Sequence, residues 1–280
     1  MTSAAESGDR IREHFDRVGE REWERLGADA RSEVSFEIHR RILARHVHPG
    51  DVVLEVGAGG GRFTIELAAM GATVVVTDVS QVQLDLNAQH VAKAGHEQAV
   101  LRRECLDVRD LMSIDDGSFD VVVAFGGPLS YAFEEAEYSF AELLRVTRPG
   151  GVVAASVMAT LGTSRFFLSS ILDEINELGS EPFDAVLRSG DTRHVAAQGH
   201  ACRMFRWSEI AGMIDRHACS LLAASASNCL SLGDQEAMAR VRADPVLWAR
   251  FLGWEAELAA EPGALDGGTH IVFAVERDPA

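Results

Sequence analysis

Lysine is almost missing from these 280 residues. Lys93 is the single copy, and all lysines and arginines together number 26 against 43 aspartates and glutamates. A formal net charge of −17 creates a field that repels phosphate backbones and anionic lipid, so neither nucleic acid nor a membrane surface is an expected partner. The nearest approach to a basic patch, Arg40, Arg41 and Arg45, shares a helical stretch with Glu33 and Glu37 and reads as a solvated face. No apolar run is long enough for a spanning helix. Residues Met1 to Arg10 lack the apolar segment of a secretory leader. Among Cys105, Cys202, Cys219 and Cys229 there is no C-x-x-C pair and no short cysteine–histidine array, so no metal site is expected. Cys105 and Cys219, at strand edges, are expected to be small buried hydrophobes. A reduced, cytoplasmic protein is the expectation. Oligomeric state is not legible.

What is present is a core. Apolar residues make up 47% of the chain, enough for one large α/β domain or one such domain with an insertion. The first fifty residues read as helical, with Ile11, Phe15 and Val18 on one face and Val34, Ile38 and Ile42 on another. From residue 51 short apolar runs alternate with helical stretches. Strands are predicted at Val52–Val56, Thr73–Thr77, Gln98–Arg103, Phe119–Phe125 and Val152–Met158, with helices at Phe63 to Met70, from Ser80 to Gly95, and at Glu135–Thr147. Runs of this kind predict a mostly parallel sheet covered by helices on both faces. Ser164–Leu178 is predicted as one helix, and Gly179–His200 as a weakly periodic excursion over the site. Trp207–His217 and Gln235–Ala260 are predicted helices, the latter with a core stripe of Leu247, Phe251, Trp254 and Leu258; Leu221–Ala226 and Ile271–Val275 are predicted strands. The expected divisions are a helical N-terminal cap over residues 1–48, a Rossmann-like core over 49–160, a lid insertion over 161–206 and a C-terminal part of the sheet over 207–280.

The most informative segment runs Leu54-Glu55-Val56-Gly57-Ala58-Gly59-Gly60-Gly61, a strand that empties into glycines and then a helix. Glycine permits positive φ and lets a ligand lie on the backbone at the carboxyl edge of the sheet. Asp78 ends the second strand, where a carboxylate can accept both ribose hydroxyls of a nucleoside. The glycine spacing is not that of a regular dinucleotide fingerprint.

These features, in this order, resemble the class I S-adenosylmethionine-dependent methyltransferases of small-molecule type. Thr77-Asp78-Val79-Ser80 is similar to the family's acidic strand end. Cys105-Leu106-Asp107-Val108 is similar to its adenine-reading segment, Phe119-Asp120-Val121-Val122-Val123 to its fourth strand, and Arg145 to Gly151 to the turn before its fifth. The resemblance covers roughly residues 50–158. It implies a seven-stranded, mostly parallel Rossmann-like sheet whose last strand joins antiparallel, with S-adenosylmethionine as cofactor. The implied cofactor residues are Glu55, Gly57, Ala58, Gly59, Asp78, Val79, Asp107, Val108, Phe125 and Gly126. Gly57 to Gly59 would meet the amino-acid end, Asp78 the ribose, Asp107 the adenine amino group with Leu106 or Val108 against the ring, and Phe125-Gly126-Gly127 the methionine part.

Methyl transfer is an in-line displacement in which alignment supplies most of the rate, so a missing acid–base pair is no objection. The fourth strand ends Phe125-Gly126-Gly127-Pro128, unlike the tetrapeptide of amino methyltransferases that act on nucleobases or glutamine. No metal triad of catechol type is evident. The expected acceptor is a small molecule, with an aromatic or amino-acid-derived natural product as the class to look for first. Tyr131 either orients that acceptor or packs beneath the cap. His194 and His200, in the lid, are candidate bases, solvent-exposed loop histidines being the commoner case. Ser130, Phe166, Phe167, Phe205 and Trp207 are further candidates for the acceptor wall. The competing readings are an NAD(P)-dependent oxidoreductase and a non-catalytic cofactor-binding protein of the same fold.

Overall fold

The computed structural model describes residues 4–25, 27–195 and 201–279. Three helices lead in: α1 (Ala4–Val18), α2 (Glu20–Arg25) and α3 (Ala30–His46). The third starts where the Asp29 carboxylate accepts from the Ser32 amide at 2.8 Å, an N-cap that satisfies an otherwise orphan donor. Alternation follows: β1 (Val52–Val56), α4 (Arg62–Ala69), β2 (Thr73–Asp78), α5 (Gln81–Lys93), β3 (Val100–Cys105), β4 (Phe119–Ala124), α6 (Pro128–Tyr131), α7 (Ala136–Val146) and β5 (Thr147–Met158). The excursion holds α8 (Thr160–Phe166), α9 (Leu168–Leu178) and α10 (Glu181–Ser189). The chain then returns through α11 (Trp207–Asp215), β6 (Cys219–Ala226), α12 (Gln235–Ala243), α13 (Pro245–Ala259) and β7 (His270–Arg277).

The strands form one sheet in the order β3-β2-β1-β4-β5-β7-β6. β7 runs antiparallel to both its neighbours, and every other pairing is parallel. Side chains alternate across this sheet with period two. Leu54, Val122, Val153 and Phe273 meet α7 and α11 on one face, through Phe140, Leu143 and Ile210. Val53, Val74, Val121 and Val272 meet α3, α4 and α13 on the other, through Ile38, Leu67 and Phe251. Strand order reverses between β1 and β4, which opens a crevice at their carboxyl ends. The sheet is the seven-stranded, Rossmann-like arrangement expected, with helices on both faces.

Several local expectations fail. The helix predicted over Ser164–Leu178 is two helices that meet at Phe167, and the one over Gln235–Ala260 is broken at Asp244-Pro245. Proline cannot continue a helix from within but suits its first turn, and the Asp244 carboxylate caps the new one by accepting from the Val246 and Leu247 amides. The excursion contains α10, which the flanking Gly179 and Gly190 disguise as loop. Added atoms at Gly190 would lie 1.9 Å from the Met204 carbonyl, so this glycine marks a close crossing as well as a helix end. Cys105 is exposed rather than buried, since β3 is the sheet's edge strand. On α13 the buried stripe is Phe251, Glu255 and Ala259, while Trp254 and Leu258 face outward. The reason is polar: the Glu255 carboxylate accepts from the amides of Cys229 and Leu230 and from the Ser231 hydroxyl, and that clamp sets the helix's rotation.

Candidate active site

A cavity of about 870 Å³ occupies the crevice at the carboxyl edge of the sheet. Its floor is the turn after β1. Gly57 and Gly59 have φ of 68° and 53°, and a Cβ on Gly57 would lie 2.7 Å from Cγ of Pro128. At Gly57 a side chain is therefore excluded twice, by backbone conformation and by space, and at Gly59 by conformation alone. The Ala58 amide donates to the Thr77 carbonyl at 3.0 Å, which ties the turn to the end of β2.

Asp78 follows on that strand end and lines the cavity, 6% exposed. One carboxylate oxygen accepts from the Gly59 amide at 2.8 Å and the other from the Ser80 amide at 2.9 Å. No cation is paired with it among the described residues, and burial pushes its pKa up to about 6. A carboxylate so placed, with lone pairs still open, is a receptor for vicinal hydroxyls. Val79, Asp107 and Val108 continue the wall. Asp107 is more committed than expected: Arg109 donates to both of its oxygens, from Nε at 2.9 Å and from Nη2 at 2.5 Å. Across the crevice stand Phe125, edge-on to Phe63 at 5.1 Å, and Gly126, whose missing side chain faces open space.

Glu55 does not line the cavity. It lies one layer behind, 3% exposed, accepting from the Thr64 hydroxyl at 2.5 Å, and burial raises its pKa to about 8. At neutral pH it is an uncharged group that pins α4 behind the glycine turn.

The lead-in helices roof the crevice. The Ser80 hydroxyl donates to Asp16 of α1 at 2.5 Å, and the Gln83 amide donates to the carbonyls of Phe15 and Gly19. Phe15 meets the ring of Tyr131 at 5.7 Å, and Trp23 packs on His90 at 3.9 Å. Tyr131 lines the cavity from α6, and burial holds its hydroxyl well above the ordinary phenol range, so it is a neutral donor. It shares a small cluster with Met158, Phe183, Val186, Cys202 and Met204, which anchors α10 beside the cavity. Phe166 and Phe167 line the mouth, whereas Phe205 and Trp207 pack in the core behind it. The Ser130 hydroxyl accepts from the Met158 amide, a structural tie. His194 is exposed and outside the cavity lining. His200 lies outside the described residues.

Among the cavity residues that sequence reasoning missed are His39 and His270. His39 is 5% exposed in α3, and His270 opens β7. Only the fold brings them together. No group of three or more metal-ligating side chains occurs among the described residues, nor does any helix long and apolar enough to cross a membrane.

The family profile described as a methyltransferase domain matches residues 53–151, the stretch that carries the glycine turn, Asp78, Asp107 and Phe125. This core belongs to the class I S-adenosylmethionine-dependent methyltransferases. The methyltransferase core is 35% identical over 132 residues to the tuberculostearic acid methyltransferase UfaA1 of Mycobacterium tuberculosis, a match that covers 47% of this chain and 29% of that one. The chain spans between three tenths and one half of the length of the curated relatives it matches. Among solved structures, the 1,6-didemethyltoxoflavin-N1-methyltransferase of Burkholderia thailandensis, bound to its acceptor and S-adenosylhomocysteine, superposes with a TM-score of 0.58 at 15% identity. That match covers 99% of this chain and 92% of that chain. The [4+2]-cyclase SpnF superposes with a TM-score of 0.53 at 16% identity, covering 87% and 81%. At such identities these two show the fold alone. The cofactor of the methyltransferase core is S-adenosylmethionine, and the residues present fit it: a turn of small residues that permits close approach and a buried, unpaired carboxylate suited to ribose hydroxyls.

Proposed function

We propose that the chain transfers a methyl group from S-adenosylmethionine to a small, largely apolar acceptor. The observation that carries this reading is that the glycine turn, Asp78 and an aromatic chamber share one cavity. Bound there, the cofactor supplies a methyl group on a sulfonium, already a good leaving group. Gly57, Ala58 and Gly59 would pass its amino-acid end along their backbone, and Asp78 would accept from its ribose hydroxyls. Asp107 would read the adenine amino group with whatever capacity Arg109 leaves it, while Val79 and Val108 flank the ring. The acceptor would lie between Phe125, Tyr131 and the lid aromatics Phe166 and Phe167, whose apolar surface excludes water and rewards burial of an apolar molecule. The neutral Tyr131 hydroxyl would orient it. A lipid acceptor and a flat heteroaromatic one, the kinds named for UfaA1 and the toxoflavin enzyme, both suit such a chamber.

A second reading keeps the fold without methyl transfer, and it has one specific support, since a protein named as a cyclase shares this architecture. Calorimetric titration with S-adenosylhomocysteine, with NAD in parallel, tests the cofactor: tight one-to-one binding of the first and none of the second is expected. Binding of NAD alone overturns the reading. Methyl-labelled product from a panel of apolar acceptors then separates a transferase from a cofactor-retaining relative.

A further inference from the structure

Two histidines that cofactor binding leaves unused, His39 buried and His270 half-buried, meet at the acceptor side of the cavity. His39 lies edge-on to Phe125 at 4.7 Å, and its ring centroid is 6.3 Å from that of His270. His270 pairs with Met158, the last residue of β5, and so stands on the carboxyl edge of the sheet.

Their tautomers follow from their partners. Nδ1 of His39 is 2.7 Å from the Ser35 carbonyl, which can only accept. The hydrogen is therefore on Nδ1, and Nε2 keeps a lone pair. For His270 the constraint travels through three residues. The Asn228 amide nitrogen donates to the Arg31 carbonyl at 3.1 Å, which leaves its oxygen to accept from the hydroxyls of Ser227 and Thr269 at 2.9 and 3.1 Å. With its hydrogen committed there, the Thr269 hydroxyl receives one from Nδ1 of His270, 3.1 Å away. Nε2 of His270 is again a bare acceptor. No described residue donates to either Nε2, and neither atom is a sealed, unsatisfied one. Burial depresses both pKa values, to about 4 and about 3, with His39 and then Arg25 adding to the effect at His270, so both rings are neutral at pH 7. Around them the wall includes Phe63, Phe125, Phe166 and Met158, with the guanidinium groups of Arg25 and Arg31 also in the lining.

We propose that His39 and His270 together receive the hydroxyl hydrogen of a phenolic or enolic acceptor and take up its proton during methyl transfer. The proposal rests on the methyltransferase reading. A lone pair of the hydroxyl oxygen forms the bond to the methyl carbon, and the carbon–sulfur bond breaks with its electrons going to sulfur. The O–H proton passes to Nε2, from which it leaves to water. So weak a base does not ionise a free phenol and does not have to, because the oxygen becomes strongly acidic as its new bond to carbon forms.

The test uses the full chain, labelled with nitrogen-15 at histidine, saturated with S-adenosylhomocysteine at pH 7.5. Long-range proton–nitrogen spectra should show both rings neutral with the hydrogen on Nδ1. Addition of 2-naphthol should move both Nε2 resonances, while naphthalene should leave them in place. H39F and H270F should each weaken 2-naphthol binding about tenfold, the loss of one ordinary hydrogen bond. H39Q and H270Q, which keep an acceptor oxygen, should restore most of it, and S-adenosylhomocysteine affinity should not change in any of the four. An Nε2–H tautomer at either ring, or equal responses to 2-naphthol and naphthalene, overturns the proposal while the cofactor reading stands. Failure of the wild-type chain to bind S-adenosylhomocysteine overturns the reading beneath it instead.

Discussion

Replacing Glu55 by glutamine should change stability in a way that depends on pH, with the sign set by burial. The carboxyl is 3% exposed, and its pKa rises from the ordinary 4.5 to about 8, chiefly through desolvation with a smaller contribution from Asp78; the Thr64 hydroxyl bond opposes the rise. In the unfolded chain the group ionises near its ordinary value, and in the native state it holds its proton until about pH 8. The folded state thus binds the extra proton between those limits, so this group's contribution to stability is complete below about pH 4.5 and is lost as pH climbs through 8. Each unit is worth about 1.4 kcal/mol, which puts the full loss on the order of 5 kcal/mol, an upper figure since water entry and relaxation soften it. Glutamine has the same shape and no ionisation. Urea denaturation from pH 5 to pH 9 should therefore find Glu55→Gln close to the wild type at the acid end and more stable by several kcal/mol at the alkaline end. The difference between the two curves isolates this residue from Asp78, which titrates in both proteins. A difference that stays constant across the range would show that Glu55 is ionised in the fold and refute the reasoning.

Asp78→Ala should weaken S-adenosylhomocysteine binding by ~1.5–3 kcal/mol, the scale for hydrogen bonds to a charged group, and calorimetry that finds under a few tenths removes Asp78 from the ribose site. Tyr131→Phe should lower turnover with the native acceptor several-fold while cofactor affinity holds; unchanged turnover assigns the ring to packing against Phe15 alone. Glu255→Ala should destabilise the fold by about 3 kcal/mol, because it leaves the amides of Cys229 and Leu230 and the buried Ser231 hydroxyl without their acceptor, and a loss under 0.5 kcal/mol in chemical denaturation would argue that water replaces the carboxylate.

The parts of the fold that sequence revealed are those in which local pattern and tertiary role coincide. Val74-Val75-Val76 is β-branched and buried on both faces, so its periodicity and its place in a covered parallel sheet are one fact. The glycine turn is legible because positive φ favours glycine locally, and Asp78 because it ends the second strand beside that turn, where its carboxylate accepts from the Gly59 and Ser80 amides. Trp254 was opaque for the opposite reason. Hydrophobicity placed it inside, while a buried carboxylate one residue further on decided the rotation of α13, and nothing in a hydropathy pattern anticipates a buried glutamate with three donors. The acceptor side is harder still. His39 sits in a helix and His270 at a strand start, at opposite ends of the chain, and each alone reads as an ordinary histidine. Tyr131 was findable because it follows β4 so closely in sequence. The histidines of the 161–206 excursion drew attention by composition, and the exposed position of His194 shows how weak that signal was.

The reversed direction of β7 has a practical reading for anyone handling the protein. Because the strand enters at the carboxyl edge with His270 and leaves at the far edge, Arg277 ends up donating to the carbonyls of Arg145 and Thr147, on the opposite side of the sheet from the cavity. An affinity tag or fused reporter attached beyond Asp278 would project away from the crevice. The same attachment ahead of Ala4 would feed directly into α1, whose Ile11, His14 and Phe15 line the chamber.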